Sequence, residues 1–318
     1  MKKFLSILGV LFISVILVSC GKVKSQGNSN TSNKELAIVI PAADHGWLSG
    51  VAYYAQKTAK ELGLKKYKVI TSSNVNDQAS QLDELISQKV GAIVLEPHTN
   101  EVSVAAQKVV KAGIPLVVFD RKVDAKYKSF VAGSNPQIGS ASANYLGKKL
   151  NGKGTIAVLN VPSSGSVSSE RVGSFKKVMK KKYPNIKLVD MTADAYTQEE
   201  GLQTSKDMLT AHKHVDAIFS IDDECSLGIL QALKETKRTD VKYLSGVGGS
   251  QAYFKKIKES NGNLTLFTAT YSPSMISDAI KIAHKAQEGK NVDNKLVISP
   301  KIVTKANVSN YINSKSPY

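Results

Sequence analysis

The chain has 318 residues and a formal charge of +17, from 43 Lys plus Arg against 26 Asp plus Glu. Its length suits about two domains, and a hydrophobic share of 42% supports a real core, which excludes wholesale disorder. Cys20 and Cys225 are the only cysteines, which excludes a disulfide scaffold and a CxxC metal knuckle.

The positive charge by itself suggests a nucleic-acid partner. The N-terminus argues otherwise. Lys2 and Lys3 precede a nearly unbroken apolar run over 4–18. The run is shorter than the roughly 20 residues a spanning helix needs and fits the h-region of an export signal over 1–19. Leu17-Val18-Ser19-Cys20-Gly21 resembles a bacterial lipobox, whose cysteine is lipidated and becomes the mature N-terminus. Cys20 is therefore the expected lipidation site. Residues 20–34, polar and rich in Ser, Asn and Gly, read as a flexible tether to the membrane. Such a chain is extracytoplasmic and binds no nucleic acid.

From residue 35 onward, short apolar runs alternate with amphipathic segments. LAIVIP (36–41) has strand length, and apolar residues of 47–62 recur at spacings of three and four, as on one helix face. Gly63 sits at a C-terminal cap position. A strand over 67–71 follows, then a helix with Asn76 as N-cap and Leu82, Leu85 and Ile86 on its buried face. AIVLEP (92–97), a helix over 101–112 and IPLVVFD (114–120) complete a first set. A second set opens with a helix over 136–150 and runs through strands 155–160, 186–191 and 216–221, with helices over 168–182, 198–212 and 223–235. VKYLSGV, GNLTLFTAT, a helix over 273–288, KLVIS and KIVT end the chain. Strands buried on both faces read as continuous apolar runs, and alternating βα units imply parallel sheets with helices on both sides. The fold class is α/β, with two similar Rossmann-like lobes. In such sheets ligands bind at the carboxyl ends of the strands, so two facing lobes form one cleft.

Four strand ends carry side chains suited to that cleft. The first is Pro41 to Trp47, with Asp44, His45 and the single Trp, whose flat apolar face and N–H suit a sugar ring. The second is Phe119-Asp120-Arg121, where a carboxylate and a planar guanidinium can bind adjacent hydroxyls. The third is Ser169-Glu170-Arg171. The fourth is Ile221-Asp222-Asp223-Glu224; Asp223 and Glu224 suit a helix N-terminus, leaving Asp222 as the binding candidate. Enzyme signatures are absent: no GxSxG elbow, no GxxxxGK[ST] loop, no GxGxxG after the first strand and no HExxH. Cys225 reads as a small buried hydrophobe.

These residues resemble the type-I periplasmic binding proteins of sugar ABC transporters, the ribose-binding group especially. The resemblance covers about 36–303, and is strongest at Asp120-Arg121, Ser169-Glu170-Arg171, Leu209-Thr210-Ala211-His212 and Asp222-Asp223-Glu224 with Leu227-Gly228. It implies a stacking role for Trp47, a polar contact at His45, hydroxyl-binding groups at Asp120, Arg121 and Arg171, and a second aromatic at Tyr196. Asp222 stands where ribose binders have an Asn. Gly248 replaces an Asp, Thr270 replaces a Gln, and Leu48 replaces a second Phe. Asp44 and Asp222 are carboxylates placed differently. A pentose, a hexose, a deoxy sugar, a polyol or a furanosyl signal molecule therefore all stay open as ligands.

The resemblance also implies a hinge of three crossovers near Gly133, Thr270 and Ile298. One lobe then comprises 35–133 plus 271–298, and the other 134–270 plus 299–318. The implied function is a monomeric, cofactor-free and metal-free solute-binding lipoprotein, not an enzyme, that passes a sugar or polyol to an ABC permease. Three other readings compete. A transcription regulator needs an N-terminal DNA-binding domain where this chain has a lipobox and tether. A sensory lipoprotein would report its ligand to a membrane receptor without transport. A glycosidase would need Asp120 and Asp222 as its carboxylate pair.

Overall fold

The structure, a computed structural model, describes residues 34–43 and 45–318. The export signal, Cys20, most of the tether and Asp44 lie outside the described residues.

The first sheet is built from β1 (Leu36–Pro41), β2 (Tyr67–Ser72), β3 (Ala92–Leu95), β4 (Leu116–Phe119), β5 (Ser129–Gly133) and β11 (Lys295–Ile298), in the order β11-β5-β4-β3-β1-β2. All its pairings are parallel. The second sheet holds β6 (Gly154–Asn160), β7 (Ile186–Thr192), β8 (Ala217–Phe219), β9 (Tyr243–Gly248), β10 (Thr265–Thr270) and β12 (Ile302–Thr304), in the order β12-β10-β9-β8-β6-β7. Here only β12 runs antiparallel, against β10. Both sheets thus repeat one doubly wound order. Each has its switch point beside its first strand, where the connections turn to opposite faces and leave a crevice.

Burial explains the strand patterns. All six residues of β1 are buried, as are all of β3, β4 and β8. The edge strand β7 alternates buried and exposed positions, because one of its faces meets water. The helices are α1 (Gly46–Glu61), α2 (Val75–Ser87), α3 (Ser103–Lys111), α4 (Asn135–Lys149), α5 (Ser166–Lys182), α6 (Gln198–Ala211), α7 (Asp223–Glu235), α8 (Gln251–Glu259) and α9 (Ile276–Gln287). One core lies under α2 and α3 of the first lobe, and another fills the second lobe, where Phe175 stacks on Phe219 with centroids 4.0 Å apart. A third, between α1, α9 and the first sheet, continues through Tyr271 and Tyr318 into Val247 and Ala269 of the second lobe.

Three details differ from the sequence reading. The N-cap of α2 is Asn74, not Asn76: its side chain accepts the Asp77 N–H at 2.9 Å while the Asp77 carboxylate accepts the Ser73 N–H at 2.8 Å. The Asn74 cap, with Asp77 also holding the residue before it, starts the helix earlier. The strand β5 and the helix α8 were not anticipated. β5 is five residues long, and α8 is a nine-residue helix with only Tyr253, Phe254 and Ile257 as buried anchors. Such short segments carry little periodicity.

The sheet membership requires the chain to pass between lobes after β5, after β10 and after β11. These passages are tied together: Ser134 N–H donates to the Ile298 carbonyl at 2.9 Å and Thr270 N–H to the Lys301 carbonyl at 3.0 Å.

In the second lobe, α6 and α7 touch backbone to backbone. A Cβ on Gly228 would lie 1.9 Å from the Gln198 carbonyl oxygen, and one on Gly201 would lie 2.2 Å from that of Cys225. Gly228→Val should therefore lower unfolding stability by about 1–3 kcal/mol or more, since helix backbones must part. A control is Gly173→Ala on the exposed face of α5, where a Cβ meets nothing within 4 Å. That change should be neutral or stabilising by up to about 1 kcal/mol. Urea unfolding checks both, and an unaltered midpoint for Gly228→Val would refute the close crossing.

Candidate functional site

The carboxyl ends of the strands of both sheets converge on a small cavity. It is lined by His45 and Trp47 after β1, Asp120 and Arg121 after β4, Arg171 on α5, Tyr196 after β7, Asp222 after β8, Gly248 at the end of β9, and Tyr271 and Tyr318. Its volume is about 40 Å³, room for a few waters. A wider groove of about 540 Å³ adjoins it and shares Asp120 and Arg121. A larger depression of about 930 Å³ lies far from these groups, beside Gly91, Gly113 and Gly289. We place the candidate site in the interlobe cavity because the convergent polar and aromatic side chains are there.

Local backbone aims these groups. Asp120 has φ +63°, and the Arg121 N–H bonds back to the Phe119 carbonyl at 2.8 Å. This γ-turn ends β4 abruptly, and Asp is among the few non-glycine residues that tolerate the left-handed region. It leaves the Asp120 carboxylate buried, taking a hydrogen bond from the Tyr271 hydroxyl. Arg121 is held by a bond to the His98 carbonyl at 2.6 Å, and its Nε lies 3.6 Å from Asp120 Oδ2.

Trp47 opens α1 and is 8% exposed. Its ring lies parallel to Phe119 with centroids 6.2 Å apart, and its Nε1–H donates to the Tyr271 carbonyl at 2.7 Å. Arg171, 5% exposed, donates Nε–H to Asn135 Oδ1 and Nη1–H to the Ile221 carbonyl, each at 2.9 Å. Its guanidinium sits 4.7 Å from the Tyr271 ring centroid, a cation–π contact. Nη2 is then the part of the fork without a hydrogen bond among the described residues. Tyr196 exchanges a hydrogen bond with Ser164 at 2.7 Å and faces the His45 ring at 6.1 Å.

Asp222 caps α7, and Oδ1 accepts the Glu224 and Cys225 N–H groups at 2.8 and 3.0 Å. Burial is the main reason its pKa rises to about 7, with Asp223 and Glu224 adding to the rise. Asp223 lies behind it, taking bonds from Gly249 N–H, Ser250 N–H and the Thr268 hydroxyl. Burial lifts its pKa to about 6 against those donors. Burial also pushes the Tyr196 phenol up to about 12. Glu224 reaches across to the other lobe, where its Oε1 accepts the Gly46 N–H at 2.8 Å. The lobes meet at that contact.

The structure therefore gathers His45, Trp47, Asp120, Arg121, Arg171, Tyr196, Asp222 and Gly248 around one cavity. Thr270 is not among them: its hydroxyl accepts the Lys301 N–H at 2.9 Å, at a crossover. The next residue, Tyr271, faces the cavity instead. Sequence reasoning missed Tyr271 and Tyr318. The position of Tyr271 at the carboxyl end of an apolar strand was a usable signal; Tyr318 offered none. Among the described residues, no group of three or more His, Cys, Asp or Glu could hold a metal ion, and no helix is long and apolar enough to cross a membrane. Cys225 is a free, buried thiol.

Residues 36–291 match the family model for the periplasmic binding protein domain. The ribose import binding protein RbsB of Bacillus subtilis is 24% identical over 312 residues, covering 96% of this chain and 99% of the relative. The D-apiose import binding protein of Paraburkholderia graminis is 26% identical over 277 residues, covering 86% of this chain and 88% of the relative. An ABC transporter solute-binding protein from Bacillus halodurans C-125, solved with bound myo-inositol, superposes with a TM-score of 0.81 at 22% identity, over 92% of this chain and all of that one.

The buried acid of Asp222 has a consequence for stability. Its pKa stands near 7 in the folded state against 3.8 in the reference, so between about pH 4 and 7 the folded chain holds a proton that the unfolded chain has lost. This contribution is fully present at the acidic end and is lost as pH rises through 7; Asp223 acts in the same direction. Asp222→Asn keeps a competent helix cap and removes the titration. Its thermal stability should vary less between pH 5 and 8 than that of the parent. An unchanged pH slope would show that another group is responsible.

Proposed function

The chain belongs to the periplasmic binding protein domain family, and from that premise we propose that it captures an uncharged sugar or polyol between its lobes and delivers it to an ABC importer. One observation carries the ligand class. The cavity gathers the guanidinium groups of Arg121 and Arg171 and the carboxyl groups of Asp120 and Asp222 beside the flat ring of Trp47. Planar donors, carboxylate acceptors and an apolar ring face suit a molecule with many hydroxyls and C–H faces. Polar groups buried in this way discriminate sharply, because a ligand lacking one hydroxyl leaves a protein group unpaired.

Relatives named for ribose and D-apiose import support this reading. The sensing alternative draws no support from relatives named for import. The ligand enters when the lobes swing apart about the three crossovers, and the cavity, which has room for a few waters in this conformation, widens to hold it. The protein is held as a monomer at the outer face of a membrane through lipid on Cys20, with residues 21–34 as spacer. The lipobox-like run Leu17 to Gly21 supports the anchor.

A thermal-shift screen over pentoses, hexoses and polyols, followed by calorimetry on the best ligand, tests the proposal. A ligand specific for the folded state raises apparent stability as RT ln(1 + [L]/Kd). Trp47→Ala and Arg171→Lys should each weaken that ligand at least about tenfold while the protein stays folded, the Lys substitution keeping the charge but losing the fork. The sugar should be recovered chemically unchanged. No shift with any sugar or polyol, or parent-like affinity in both variants, would overturn the assignment.

A further inference from the structure

Tyr318 arrives in the cleft by an unusual route. After β12, Val308 joins the core of the second lobe, and Tyr311 packs on Phe254 of α8 with centroids 5.8 Å apart. The Asn313 N–H then donates to Gln251 Oε1 of the same helix at 2.7 Å. Three residues later the chain is on the other lobe, where the Tyr54 hydroxyl of α1 donates to Ser316 Oγ at 2.9 Å. Residues 311–318 form a strap from one lobe to the other, and the Tyr318 ring is its inner end.

That ring lies in a slot cut by three glycines from both lobes. A Cβ on Gly50 would stand 3.1 Å from Tyr318 Cβ, one on Gly46 would stand 3.3 Å from ring Cδ2, and one on Gly248 would stand 2.1 Å from the phenol oxygen. Gly248 has φ +133°, a conformation that L side chains rarely adopt. The end of β9 therefore presents no side chain to the cavity, and the strap delivers a hydroxyl there. Tyr318 is 6% exposed, lines the cavity, and its hydroxyl has no hydrogen-bond partner among the described residues. A buried, unpaired hydroxyl is costly unless something else completes it. Burial and the nearby Asp223, Asp222 and Glu224 hold the phenol well above its ordinary pKa, so it stays a neutral donor.

We propose that Tyr318 is a specificity-determining residue of the cleft, donating its hydroxyl hydrogen bond to an oxygen of the bound sugar or polyol, a proposal that rests on the ligand reading above. The slot seats the ring as a wall of the site. A neutral donor at the end of β9 favours a ligand with an acceptor oxygen on that side.

The test uses the full chain and calorimetric titration with D-ribose, D-allose, xylitol and myo-inositol. Tyr318→Phe keeps the ring and its packing. It should weaken the tightest of these probes by about tenfold, the loss of one buried hydrogen bond, with little change in thermal stability. Tyr318→Ala opens the slot and should also shrink the affinity ratio between the first- and second-ranked probes. Parent affinity and ranking in both variants would overturn the proposal. So would tighter binding by Tyr318→Ala, which would make the ring an obstacle instead of a wall. If the parent protein binds none of the four while binding another sugar from the wider screen, that sugar replaces them in the same comparison. If the parent binds no sugar or polyol at all, the ligand reading fails and this proposal falls with it.

Discussion

Tyr271 is the residue on which the geometry of the cleft depends. It lies immediately after β10, where the chain leaves the second sheet, and it touches Trp47, Asp120, Arg171 and Gly248 of the site. Its hydroxyl bonds Asp120, its carbonyl takes the Trp47 indole N–H, and its own N–H donates to the Gly248 carbonyl at 2.8 Å. Arg171 rests on its ring, and a side chain on Gly133 would collide with that ring at 2.3 Å. Two of the three passages between lobes thus meet at one side chain. Groups on α1, α5 and β9 and after β4 are positioned by a residue that lies beside two of those passages. On the function proposed above, hinge and binding wall would share this atom set, and ligand contact would be coupled to closure through direct bonds.

The doubly wound order supplies the rest of the arrangement. Every βα unit places a helix N-terminus beside a strand carboxyl end, so α1, α4, α5 and α7 all begin around the cleft. Their unpaired N–H groups and partial positive charges attract acidic caps. Asp222 caps α7, and Glu224 serves the first N–H of α1 from the opposite lobe. The carboxylates that the helix ends require are therefore already in place where a polyhydroxylated ligand needs acceptors. On the ligand reading proposed above, Asp222 would serve both structural capping and ligand recognition.

Much of this was legible in the residues. Continuous apolar runs marked the buried strands, and Asp120-Arg121, Arg171 and Asp222 stood out as polar groups at apolar strand ends. The chain has three Arg, Arg121, Arg171 and Arg238, among its 43 basic residues, and two of the three line the cavity. Arg171 and Arg238 use several N–H groups of the planar fork: Arg171 bonds Asn135 and the Ile221 carbonyl, and Arg238 bonds both oxygens of Asp240 at 2.6 and 2.7 Å and the Leu209 and His212 carbonyls. What was not legible depends on tertiary geometry. Thr270 and Tyr271 are adjacent, and only the turn into the crossover decides which one faces the cavity. Tyr318 comes from a segment without periodicity, and its place follows from contacts with α8 and α1 that no local pattern encodes. The switch of N-cap from Asn76 to Asn74 turned on the Asp77 N–H bonding the Asn74 side chain.

The distribution of charge separates the surface of this protein from its interior. The net charge of +17 comes from lysines such as Lys176, 40% exposed and paired with Asp190, whereas Arg171, Asp120 and Asp222 are nearly sealed from solvent. Mobile ions screen the first kind of charge within about 10 Å at 0.1 M and scarcely reach the second. A neutral solute is not steered by the lysine field and meets only pairs that salt does not weaken. Capture should therefore proceed at nearly constant affinity from dilute to concentrated electrolyte, while the long-range pull of the lysine surface on anions fades over that range. A protein built this way can experience large swings in ionic strength outside the cell without losing its hold on what it carries.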